Sequence, residues 1–217
     1  MTTPDLIIFD NDGVLVDSER LSNRIFAALL TEAGLPTSFD DAVDRYMGRR
    51  SSDCVVDIEA QLGRSLPADF LHRYEHECAS VISTELTTVD GVTDLLDALD
   101  DNKIPYCIAS SGTPDEIALR LRTTGLTDRF GDRVYSGSMV ARGKPAPDLF
   151  EYAAERMGFS PESAVVIEDS PAGVTGAKAA GAHVIGHADL VDPQRLVDAG
   201  AHVVVSGMGQ VRSLLSI

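Results

Sequence analysis

Positive charge is in short supply in this sequence. Its 217 residues carry 18 Lys and Arg against 34 Asp and Glu, a formal net charge of −16. Nucleic acid and anionic membranes attract basic surfaces, so neither is expected as a partner. Any anionic substrate would need local positive charge to overcome the global field. Lysine is scarcest, with only Lys103, Lys144 and Lys178. Cysteine is also rare. Cys54, Cys78 and Cys107 are an odd set without a close pair, which excludes a disulfide framework or a zinc site in favour of free buried thiols. No apolar run approaches the roughly 18 residues of a membrane span, and no signal peptide opens the chain. A soluble, cytoplasmic, monomeric protein is expected. Internal repeats and low-complexity segments are lacking too.

What is present is organised around Leu6–Leu15, Leu-Ile-Ile-Phe-Asp-Asn-Asp-Gly-Val-Leu. The run Leu6–Phe9 has the length and composition of a buried strand. It ends in Asp10 and Asp12, two carboxylates that repel each other more strongly the more they are buried. A cation or a shared proton relieves that repulsion. Gly13 lets the chain turn sharply just after them. Open α/β sheets place their sites at the carboxyl edge, so a metal-bound Asp pair is expected there. The plainer reading is a polar turn closing a strand. An EF-hand fails, because counting from Asp10 puts Val14 and Leu15 where a ligand and the invariant glycine belong.

After Leu15 the pattern becomes helical. Asp17-Ser18-Glu19 resembles a helix start, and Leu21, Ile25, Phe26, Leu29 and Leu30 follow at helical spacing before Gly34-Leu35-Pro36. Further helices are expected over 39–46, 52–62 and 68–85. From Gly91 helices alternate with short apolar strands at 105–110, 133–135, 164–168, 183–186 and 201–205. That rhythm implies right-handed βαβ units and a mostly parallel sheet. The expected architecture is therefore a Rossmann-like α/β core, residues 1–15 and 89–217, with an all-helical cap, 16–88, spliced in after the first strand.

Three more stretches end at the same edge in this topology. Ser110, followed by Ser111 and Gly112, offers a hydroxyl and free backbone N–H groups to a phosphate oxygen, or simply caps the helix opened by Pro114. Lys144 sits between Gly143 and Pro145 in a loop stiffened by two prolines, where it can neutralise a carboxylate and a phosphoryl group, or lie on the surface. Glu168-Asp169 closes another apolar strand. Successive strand residues face opposite ways, so Asp169 is expected to face the metal with Glu168 behind it. Ser170-Pro171 is also good helix-start chemistry. Together these acids suit a hard cation, Mg²⁺, and the lysine and hydroxyl suit a phosphoryl group.

The sequence resembles the haloacid dehalogenase superfamily of phosphatases. Asp10-Asn11-Asp12-Gly13-Val14 matches its first motif, Ser110 the second, Lys144 the third and Glu168-Asp169 the fourth, in order across nearly the whole chain. Glu168–Gly181 resembles the subgroup holding β-phosphoglucomutase and small sugar phosphatases. The resemblance implies that Asp10 attacks phosphorus to form an aspartyl-phosphate. Asp12 protonates the leaving alcohol and then deprotonates water. Asp10, the backbone carbonyl of Asp12 and Asp169 hold Mg²⁺, Lys144 offsets charge and Ser110 holds a phosphate oxygen.

Within the family, Asp12 points away from dehalogenases. A cap without lysine excludes phosphonoacetaldehyde hydrolases. Ser22 stands where mutases have a histidine, which favours a phosphatase over a β-phosphoglucomutase-like mutase. A receiver domain would carry its phospho-accepting Asp on a later strand. A silent phospho-ligand-binding module is opposed by the intact Asp10, Asp12, Lys144 and Asp169. For substrate, a small phosphorylated metabolite, Arg49 and Arg50 in the Gly48 loop could grip a sugar hydroxyl or a second acidic group. The alternative for both is solvated surface. Glu19 could touch the leaving group, or serve as an acid in the first helical turn.

Overall fold

The computed structural model describes residues 4–217, so the first three residues of the expected 1–15 segment lie outside the described residues. Leu6–Phe9 forms β1, and all four side chains are fully buried. Each contributes about 1.5–3 kcal/mol relative to exposure. The remaining strands are β2 Tyr106–Ser110, β3 Val134–Ser136, β4 Ala164–Glu168, β5 His183–His187 and β6 Val203–Val205. They form one sheet in the order β3-β2-β1-β4-β5-β6, and every pairing is parallel.

Side-chain alternation along β1 splits the core into two layers. Ile7 and Phe9 pack with Leu95, Leu99, Ile117 and Val211, while Leu6 and Ile8 pack with Leu149, Phe150, Val174 and Leu196. The covering helices are α5 Val92–Asp101, α6 Pro114–Thr124 and α11 Met208–Leu215 on the first face, and α8 Asp148–Met157, α9 Pro171–Ala179 and α10 Pro193–Ala199 on the second. A four-residue helix, α7 Thr127–Phe130, precedes β3. Because β2 and β4 flank β1 on opposite sides, chain direction across the sheet reverses at β1. The crevice outside its carboxyl end is the topological switch point.

Between β1 and α5 lie only helices: α1 Glu19–Glu32, α2 Phe39–Tyr46, α3 Ser51–Leu62 and α4 Phe70–Glu85. They bury a core of their own around Phe26, Leu30, Ile58 and Phe70. Phe26 meets Tyr46, Phe70 and Tyr74 edge-on, with ring centroids 5.0–5.9 Å apart. The two ends of this insertion lie side by side. Val16 bridges Thr88 antiparallel, Asp17 N donates to Thr87 O at 3.0 Å, and Val89 N donates to Leu15 O at 3.0 Å.

Candidate active site

The crevice at the end of β1 gathers the acidic stretches. Asp10 N donates to Ile167 O at 2.9 Å, which ties the first acid to β4. Glu168 closes β4, and Ser170 caps α9 by accepting from Gly173 N at 3.0 Å. Helix start and acid pair therefore coexist in one segment, with Pro171 in the first turn where its missing N–H costs nothing. Asp10, Glu168 and Asp169 are all buried, and each has a carboxylate oxygen within 4.8 Å of the others.

Lys144 enters this cluster with its side chain fully buried. Its Nζ lies 2.9 Å from Asp10 Oδ1 and 2.6 Å from Glu168 Oε1. Burial alone would lower its pKa, but the two carboxylates outweigh it and hold the ammonium charged. Glu168 is satisfied further by Ser170 N at 2.8 Å and Ser170 Oγ at 3.0 Å on its other oxygen. Asp169 Oδ1 has no hydrogen-bond partner, and Asp10 Oδ1 has the ion-pair contact but no aligned hydrogen bond. Burial pushes the Asp10 carboxyl up to about 7 despite Lys144, and Glu168 and Asp12 add to the rise. Asp169 is raised well above the usual range by burial and by Glu168, Glu19 and Asp10. Orphaned, proton-hungry oxygens from hard donors are what a divalent cation would satisfy, and Mg²⁺ fits that donor set. Gly13 makes room for the Asp169 carboxylate. Its φ is +74°, and a Cβ there would fall 1.8 Å from Asp169 Oδ2. His187, at the end of β5, donates from Nδ1 to Gly13 O at 3.0 Å and supports the turn.

Asp12 points elsewhere. Arg120 Nε of α6 lies 2.6 Å from its Oδ1, Ser18 donates to that same oxygen, and Ser110 Oγ lies 3.3 Å from Oδ2. Burial would raise Asp12, but Arg120, Ser18, Asn11 and Ser110 together hold it below the ordinary carboxylate range. Ser18 opens α1 without capping it, because its backbone is already helical rather than extended, and its hydroxyl donates to Asp12 instead. Ser110 also accepts from Gly112 N at 3.1 Å, while Ser111 Oγ donates to Gly48 O at 2.9 Å.

A cavity of about 420 Å³ opens over Asp10 and Asp12, between the core and the helical insertion. Glu19, Arg49, Arg50, Ser111, Gly112 and Arg120 are among its lining residues. Glu19 is buried, accepts from Asn23 Nδ2 at 2.6 Å, and is pushed up to about 8 by burial and by the nearby Asp12 and Asp10. Arg49, just ahead of α3, pairs with Asp57 of that helix at 2.8 Å. Arg50 reaches across to the core carbonyls of Gly137 and Val140. Sequence reasoning missed Arg120, Asn23, Ser18 and His187. Arg120 carried a usable signal: Ile117, Arg120 and Leu121 share the i, i+3, i+4 stripe that α6 buries, and a lone Arg on such a stripe needs a buried partner.

Residues 7–187 match the haloacid dehalogenase-like hydrolase family. The chain is 30% identical over 213 residues to validoxylamine A 7′-phosphate phosphatase of Streptomyces hygroscopicus subsp. limoneus, covering 94% of each. It is 32% identical to hexitol phosphatase A of Escherichia coli, covering 87% of this chain and 85% of that one. A crystal structure of a conserved haloacid dehalogenase-like protein of unknown function from Agrobacterium tumefaciens superposes with a TM-score of 0.83 at 36% identity, over 98% of this chain and 97% of that chain. The chain belongs to the haloacid dehalogenase-like hydrolase family and is an enzyme of its phosphatase type.

Proposed function

We propose that the protein is a Mg²⁺-dependent phosphomonoester hydrolase that acts on a small sugar or polyol phosphate through an aspartyl-phosphate on Asp10. The observation that carries this reading is the buried Lys144 held between Asp10 and Glu168, beside the unpartnered Oδ1 of Asp169. In this proposal residues 1–15 and 89–217 are the catalytic core, and 16–88 the cap that closes on substrate.

Asp10, the carbonyl of Asp12 and Asp169 would hold Mg²⁺, with Glu168 behind them. The cation supplies positive charge where a carboxylate must approach a phosphate dianion. Lys144 adds a second, fixed positive charge at the nucleophile, and Ser110 with the N–H group of Ser111 orients the phosphate oxygens, while the Gly112 N–H expected to join them instead holds Ser110 Oγ. Asp12 acts on the leaving oxygen. Arg120 favours its ionised form, which suits proton abstraction from water in the second half-reaction. The arriving phosphate dianion opposes Arg120 and favours the protonated form that the first half-reaction needs. Glu19, Arg49 and Arg50 line the space left for the alcohol. The relatives named as hexitol and validoxylamine A 7′-phosphate phosphatases support a polar, hydroxylated leaving group. Free buried thiols and a net charge of −16 suit a reducing cytoplasm and a small-molecule partner rather than nucleic acid or a membrane.

The test is phosphate release from a panel of sugar, polyol and aryl phosphates, with and without Mg²⁺. Rapid quench of the wild type should leave hydroxylamine-labile phosphate on the chain, and Asp10→Asn should abolish both label and turnover. Full turnover in chelator, or in Asp10→Asn, rejects the reading.

A further inference from the structure

Arg50 belongs to the helical insertion, yet its guanidinium ends in the core. Its Nη2 donates to Gly137 O and, at 3.2 Å, to Val140 O. The slot that receives it has walls without side chains. A Cβ at Gly143 would lie 2.7 Å from Arg50 Nε and 3.1 Å from its Cζ, and a Cβ at Gly137 would lie 3.2 Å from the same Nε. Neither glycine has a left-handed φ, so backbone conformation does not require glycine at either position. Gly143 immediately precedes Lys144. The rest of the loop docks alongside: Gly48 O accepts from Ser111 Oγ at 2.9 Å, and a Cβ at Gly48 would fall 2.1 Å from Ser170 Oγ. One loop of the insertion thus touches the segments that follow β2, β3 and β4.

We propose that Arg50 is a positioning residue rather than a substrate reader: it seats in the Gly137–Gly143 slot and couples closure of the helical insertion to placement of Lys144. The carbonyls of Gly137 and Val140 both take Nη2, and Nε is buried against Gly137 and Gly143, which turns the guanidinium toward the core. What the slot selects is a closed arrangement in which the loop bearing Lys144 is clamped from above, whichever alcohol is being released. The inference rests on the phosphatase reading only for its activity readout.

The experiment is a double-mutant cycle of Arg50→Ala and Gly143→Ala, read by activity and by amide hydrogen exchange. Losing a charge-assisted hydrogen-bonded contact should lower kcat/KM roughly ten- to hundred-fold. The loss should be the same for nitrophenyl phosphate as for the best polyol phosphate, because closure serves both. Gly143→Ala should reproduce it by expelling the guanidinium, and should add nothing in the Arg50→Ala background. Exchange over residues 47–53 and 137–144 should rise together in either variant, and this readout needs no substrate. A loss confined to the polyol phosphate would make Arg50 a substrate reader and overturn the proposal. So would additive effects, a silent Gly143→Ala, or exchange that rises on one side only. If coupled exchange persists while no phosphomonoester is turned over, the clamp stands and the substrate reading falls.

Discussion

Lys144→Met tests the electrostatics of the site most directly, because it removes a charge while keeping much of the volume. In the native protein the ammonium is fully buried and contacts two carboxylates at 2.9 and 2.6 Å. Glu168 would keep its bonds to Ser170. Asp10 would lose its counter-charge and remain beside Glu168 and Asp169 with no cation among them. Breaking a buried pair by removing one partner costs about 3–5 kcal/mol, since the survivor is left uncompensated. Urea unfolding of the metal-free variant at pH 8 should show that loss with an unchanged m-value. At pH 5 the loss should shrink, because the orphaned carboxylates then fold protonated. Mg²⁺ should restore part of it at pH 8, about 2.7 kcal/mol at a hundredfold excess over its Kd. Turnover should stay at least roughly 100-fold down even in saturating Mg²⁺, the scale of one lost transition-state donor. A metal-free Lys144→Met protein within about 1 kcal/mol of wild type at pH 8 would refute the buried-pair reasoning.

Gly13→Ala should weaken Mg²⁺ activation, because its Cβ would displace an Asp169 oxygen now 1.8 Å from that point, and its φ of +74° adds about 1–2 kcal/mol of strain. A Mg²⁺ titration of activity unchanged from wild type would count against a cation at Asp169. Asp12→Asn should lower kcat/KM on an alkyl phosphate roughly 10²- to 10⁴-fold and on nitrophenyl phosphate much less, since nitrophenolate needs little protonation; equal losses would deny Asp12 its acid role. Metal-free wild-type stability should fall as pH rises from about 4 to about 8. Asp10 and Glu19 shift from 3.8 to about 7 and from 4.5 to about 8, so the folded state holds protons that the unfolded chain has released. A chelated protein whose denaturation midpoint is flat or rising over that range contradicts those environments.

Much of the architecture was legible in the sequence because each core strand is a short apolar run closed by a polar or acidic residue. Ala164–Glu168 and Phe39–Tyr46 were read with the boundaries that the structure has. Val134–Ser136 ends one residue beyond the expected stretch, and Val203–Val205 starts two residues after it. These are edge strands, where one partner rather than two sets the ends. The four-residue α7 escaped notice because a single turn shows no periodicity. At the site, Asp10, Lys144, Glu168 and Asp169 were legible because acids at strand ends demand compensation. The partners of Asp12 were not, since Arg120 lies more than a hundred residues away and only the packing of α6 on the sheet brings it beside Asp12. Arg49 and Arg50 look alike in sequence, and only the fold separates one paired within the insertion from one reaching the core.

The bridged segments 15–17 and 87–89 make two covalent links behave as one mechanical stem. Closing a loop costs free energy that grows only with the logarithm of its length, about 0.6 kcal/mol per doubling, and here the closure is already fixed by the stem. The helices hung on that stem are therefore interchangeable freight as far as the sheet is concerned. They can be lengthened, shortened or rewritten without disturbing the register of β1 against β2 and β4, on which Asp10 and the acidic cluster depend. The register of the sheet can thus persist while the insertion varies, and the boundary between them falls at a few backbone hydrogen bonds beside Ser18.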